Sequence, residues 1–186
     1  MIALVIVGII VVLLVLAVLW SIATYNRLVR QRNQVQDSWA QVEVQLKRRY
    51  DLIPNLVETV KGYASHERQT LEAVTQARAG ALSASAPAEQ AASDNVLTGA
   101  LRSLFAVAES YPDLKANQSF LSLQQQLDET EGRISYSRQY YNDAVLHLNN
   151  MVRTFPTVLV ASTAQIGPEQ YFEAAPEEQA PVAVHF

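Results

Sequence analysis

"RRYDLIPNLVETVKGYASHE", Arg48 to Glu67, can be read as a catalytic site or as a bend in a helix, and the choice decides the fold. His66-Glu67 opens a zinc-protease motif only if a second histidine stands one helical turn later, so that two imidazoles share a face and the glutamate acts as base. That place is held by Thr70. Pro54 lies inside an apolar rhythm of threes and fours. It lacks the amide that would donate to the carbonyl of Tyr50, and its ring crowds that carbonyl, which kinks a long helix. The stretch is therefore read as a bend, and the chain is not read as an enzyme.

Upstream, Leu28, Val35, Trp39, Val42, Leu46 and Ile53 step away from Tyr25 by alternating threes and fours, with Arg32 and Arg49 in the two remaining slots. This is a helical seam of coiled-coil type. No Gly or Pro interrupts Thr24 to Ile53. Before it stands Ile2 to Ala23, IALVIVGIIVVLLVLAVLWSIA, which carries no charge. About 20 apolar residues suffice to cross a bilayer as a helix. A cleaved signal peptide is the alternative, and small Ser21 and Ala23 suit it. However, no basic residue precedes the run, which also exceeds an ordinary signal core. An anchor at 1–24 is expected to run directly into the soluble helix, some 50 residues or about 75 Å at 1.5 Å each.

The basic flank Arg27, Arg30 and Arg32 comes after the span. Positive flanks stay cytoplasmic, so the N-terminus is expected outside and the domain inside. Trp20 and Tyr25 sit where an aromatic belt holds the interface. The three arginines are candidates for contact with anionic lipid, each worth about 1 kcal/mol near a charged leaflet. Ala17 and Ser21 form a small-xxx-small pair, and they and the seam support a homo-oligomer; the alternative is that the seam is consumed within its own bundle.

Beyond Pro54 the apolar phase is read as shifted, to Val57, Val60, Ala64, Leu71, Val74 and Leu82. SASAPAEQAASDN, Ser83 to Asn95, has the composition of a connection. A short helix is expected over 96–109. Ser110-Tyr-Pro-Asp113 looks like the start of the next helix. Phe120, Leu123, Leu127, Ile134, Tyr141, Val145, Leu148 and Val152 keep helical period to Phe155-Pro156, where the helix ends. The bundle domain is placed at 25–165, with one short helical turn over 157–164. An acidic flexible tail is placed at 166–186, with Glu169, Glu173, Glu177, Glu178 and Pro168, Pro176 and Pro181. The class is all-α: a single transmembrane helix continuing into an antiparallel bundle of long helices.

A net charge of −4 does not favour nucleic acid, and the absence of cysteine removes disulfides and thiol chemistry. No phosphate loop, nucleophile elbow or calcium loop is present. His147 and His185 have no ligand spacing between them. Asp128, Glu129 and Glu131 lack the Glu-x-x-His of a two-metal bundle and are read as a solvated face. No catalytic residue, metal or cofactor is assigned. Arg32 is read as lying where the bundle has not yet closed, and Arg49 as snorkelling near the bend; if buried, either needs a partner.

The segments YNRLVRQRNQV, WAQVEVQLKRRYDLIPNLVETVKGYASHE, LEAVTQAR, YPDLKANQSFLSLQQQLDETE, YYNDAVLHLNNMV, FPTVLVA and QYFEA together resemble the LemA family of bacterial membrane proteins, from Tyr25 to Ala174. The resemblance implies a short extracytoplasmic N-terminus, one inner-membrane helix and a cytoplasmic bundle, with no agreed catalytic residues to carry over. It also implies membrane metalloproteases or TPM-domain proteins as partners, since members are often encoded beside them. The expected role is a membrane-anchored scaffold or adaptor of the bacterial envelope. The alternative is an anionic-lipid-binding membrane organiser, with a hydrolase third.

Overall fold

Uninterrupted helix-forming sequence from the span into the seam produces one helix, α1, over Ile2–Lys61 in the computed structural model. The structure describes residues 1–172. Expectations for Glu173, Pro176, Glu177, Glu178, Pro181 and His185 lie outside the described residues. Five more helices are α2 (Arg68–Ser83), α3 (Pro87–Ala108), α4 (Pro112–Lys115), α5 (Gln118–Arg153) and α6 (Thr157–Thr163). There is no strand among the described residues, so the all-α class holds. The chain divides into two units, each combining segments distant in sequence.

The first unit comprises Met1–Ser38 and Asn142–Glu169. Its apolar run has a mean hydropathy of 3.6 and none of it is buried. A helix apolar all round belongs in a large protein's core or in a bilayer. Nothing in the described chain covers this one, which suits a membrane span. Burial begins at Thr24 and Leu28 and continues at Val35, with Ala144, Val145, Leu148 and Val152 supplied by α5. Gln31 donates from Nε2 to the Ala144 carbonyl at 3.3 Å. Asn149 is buried and its side-chain amide pairs with the backbone of Glu169, donating from Nδ2 to the carbonyl at 3.0 Å and accepting at Oδ1 from the amide at 2.8 Å.

The second unit comprises Trp39–Tyr141 and, among the described residues, 170–172. Its core contains Val42, Leu46, Ile53, Leu56, Val60 and Ala64 on α1 and the turn after it. The steps continue through Pro54, so the expected phase shift is corrected: Leu56 takes the buried place assigned to Val57, and Ala81 the one assigned to exposed Leu82. The expected connection Ser83 to Asn95 is also corrected. Only Ala84 to Ala86 separate α2 from α3, because Pro87 is preset for a first helical position and the alanines after it favour helix. The Glu89 carboxylate reaches back to accept from the amides of Ser85 and Ala86, at 3.3 and 3.4 Å. These bonds hold its carboxyl below the usual range. Ala86 has no side-chain oxygen to return the contact.

Ser110 does not start the long helix. Asn117 does, its Oδ1 accepting from the Phe120 amide at 3.0 Å as an N-cap. Half-buried Trp39 packs against Tyr141 and Phe172, with ring centroids 5.1 and 6.0 Å apart. The Tyr141 hydroxyl donates to the Gln170 carbonyl at 2.7 Å.

Candidate functional site

Arg49 occupies a seam position of α1, and every neighbouring seam residue faces the core, so its guanidinium cannot leave without turning the helix. It is 5% exposed at the side chain. The expectation that it snorkels to water is corrected, because partners from two other helices meet it inside. Nη1 lies 3.1 Å from Oδ2 of Asp94 on α3, itself 8% exposed, and 2.8 Å from Oε2 of Glu131 on α5. Nη2 donates to the Thr98 hydroxyl at 2.9 Å. A buried guanidinium is tolerated only when its charge and donors are matched, and here they are.

Tyr50, 2% exposed, extends the cluster. Its phenol oxygen accepts from Nε2 of Gln90 at 3.0 Å, and Gln90 also donates to the Ala81 carbonyl at 3.2 Å. Burial first, and then the negative charge of Asp94, push the Tyr50 phenol up to about 12. The Tyr50 carbonyl is the one that Pro54 leaves without its helical donor. Arg78 of α2 supplies the replacement, donating from Nε at 2.7 Å. Pro54 thus creates a backbone acceptor on α1 that a second helix uses. A crevice of about 240 Å³ lined by Ile53, Pro54, Val57, Thr75 and Arg78 adjoins this contact.

The hub unites Arg49, Tyr50 and Pro54 of α1 with Arg78, Gln90, Asp94, Thr98 and Glu131, which sequence reasoning missed. Part of the signal is readable: Asp94 stands in the buried series Ala91, Leu97, Leu101 and Leu104, and a carboxylate in one seam answers an arginine in another. Glu131 is half-exposed and turned to Arg49, a correction to the solvated-face reading, whereas Asp128 and Glu129 are exposed. His66 is exposed. Glu67 accepts a hydrogen bond from the Tyr111 hydroxyl at 3.1 Å, which raises that phenol. Asn117 donates from Nδ2 to the Tyr63 hydroxyl at 3.0 Å. No group of three or more histidines and carboxylates gathers as a metal set among the described residues.

The remaining candidates lie on the first unit. Tyr25, Arg27, Arg30 and Arg32 are exposed, as is Trp20. The Ser21 hydroxyl donates back to the Ala17 carbonyl at 2.8 Å, satisfying it within the helix. In comparison with known proteins, the profile of the LemA family matches residues 38–186. The protein LemA of Metamycoplasma hominis is 27% identical over 161 residues, covering 84% of this chain and 72% of that protein.

Proposed function

This chain belongs to the LemA family, and we propose that it is a membrane-anchored helical scaffold or adaptor of the bacterial envelope. One observation carries this reading. A single helix, Ile2–Lys61, supplies both an uncovered apolar run and the buried seam of a bundle, and the bundle's main polar cluster spends its charges tying helices together. The reading also makes the chain a single-pass inner-membrane protein with the bundle cytoplasmic, on the exposed flank Arg27, Arg30 and Arg32. Partners would be other envelope proteins, with a membrane metalloprotease or TPM-domain protein as first candidates, and a second copy through the Ala17 face. Crosslinking and affinity capture of the full chain from native membranes tests the role, and it is expected to recover a stoichiometric membrane-protein partner. Recovery of lipid alone would leave the membrane-organising alternative.

The topology has its own test. Protease added to inverted inner-membrane vesicles is expected to digest the bundle. Protection there, with digestion in spheroplasts, would reverse the orientation.

A further inference from the structure

The short helix α6 leaves apolar side chains without cover. Phe155, just before it, is 80% exposed, and Leu159 is 59% exposed, while Ala161 is buried at 1%. Single exposed apolar residues are ordinary on a protein surface. Leu159, however, borders a groove of about 600 Å³, whose walls are Leu159, Val160 and Ala164 on one side and Trp20, Ile22 and Tyr25 on the other. The second wall is the end of the uncovered apolar run. Counting about 20 residues for the hydrocarbon core from Ile2 brings its far edge to Trp20–Ile22. The groove and α6 therefore sit at the depth where the span leaves the bilayer. Arg27, Arg30 and Arg153 are exposed nearby in sequence on α1 and α5, as suits lysine- and arginine-rich borders of interfacial segments.

We propose that Phe155 and Leu159 form a second membrane contact, inserting at the leaflet that holds the C-terminal end of the span, with the groove against Trp20 and Tyr25 taking a phospholipid acyl chain. Continuity decides the occupant: one wall of the groove is the span itself, so any lipid around the span already reaches it. The contact rests on the membrane-span reading and goes beyond it, since one span needs no second anchor.

The chain contains no cysteine, so single labelling sites are free of background. Phe155→Cys and Leu159→Cys, each spin-labelled in the full chain in phosphatidylcholine–phosphatidylglycerol vesicles, would be compared with Leu13→Cys in the span and Tyr136→Cys, 73% exposed, on α5. Collision with oxygen measures lipid, and collision with a water-soluble nickel chelate measures solvent. The expected result is an oxygen-to-nickel ratio at 155 and 159 between those at 13 and 136 and several-fold above that at 136. Ratios equal to that at Tyr136, with Leu13 lipidic, would overturn the contact while sparing the span. An aqueous ratio at Leu13 would overturn the span and the contact with it. Spin–spin broadening at 155 that disappears on dilution with unlabelled chain would assign the face to a second copy and overturn the lipid contact. Low collision with both reagents and no broadening would overturn it too, assigning the face to another part of the same chain.

Discussion

Pro54 and Arg78 act as a pair across two helices. The proline withholds an amide from the Tyr50 carbonyl, and the arginine provides Nε at 2.7 Å. Arg78→Met should cost about 1–2 kcal/mol, because a partly buried acceptor then loses its charged donor. In the background of Pro54→Ala the same change should cost less than half as much, since the substituted alanine would restore the helical donor. Chemical denaturation of the four variants measures the coupling, and additive costs would show that Arg78 acts elsewhere. Tyr50 gives a pH test of the same cluster. Its phenol is raised above the ordinary 10 to about 12, so the folded chain holds this proton more tightly than the unfolded one. The stabilisation is complete below about pH 10 and lost as pH rises through about 12, a change of roughly 2–3 kcal/mol. Tyr50→Phe lacks that proton, so its stability gap from the wild type should narrow over that interval. A gap independent of pH would remove the assigned shift. His66, exposed and outside the hub, is expected to change stability by no more than about 0.5 kcal/mol when replaced by alanine.

At the scale of elements, the long helices are legible because their apolar spacing is regular, and their ends are not. α5 keeps to the seam from Phe120 to Val152. Its start misleads because Ser110-Tyr-Pro-Asp carries the residue types of a helix start yet makes only the four-residue α4. Asn117 holds the true start, and its amide also reaches Tyr63. Asn117→Ala should therefore cost about 1 kcal/mol as a lost cap, and Asn117→Asp, which keeps the acceptor, should recover most of that. Thermal melting separates them; equal losses would mean that the Tyr63 contact, not the cap, matters. α3 reads too short because Ser, Ala and Pro in "SASAPAEQAASDN" have the composition of a loop. Proline at the first helical position, glutamate two residues on and the alanines after it are equally the composition of a helix start, and long-range burial of Ala91 and Asp94 decides between them.

On the scale of the molecule, the hub shows how much of a site one chain's sequence can display. Arg49 is visible as a charge in an apolar seam, and the need for a partner comes from electrostatics. Which carboxylates answer is only partly legible: Asp94 stands in the apolar series of α3, whereas Glu131 is brought to Arg49 by the packing of α5 and by no local pattern. A tie of this kind orders three helices at once, yet it contributes little net stability if apolar residues of similar volume could fill the space. The two roles separate by mutation. Arg49→Met alone strands the buried Asp94 charge and should cost about 3–5 kcal/mol. Arg49→Met combined with Asp94→Leu and Glu131→Gln removes the charges together and should recover most of that loss. Guanidinium unfolding of the full chain in detergent reads both. If Arg49→Met were as stable as the wild type, the guanidinium would not be holding these helices, and the hub would have to be kept for something other than the fold.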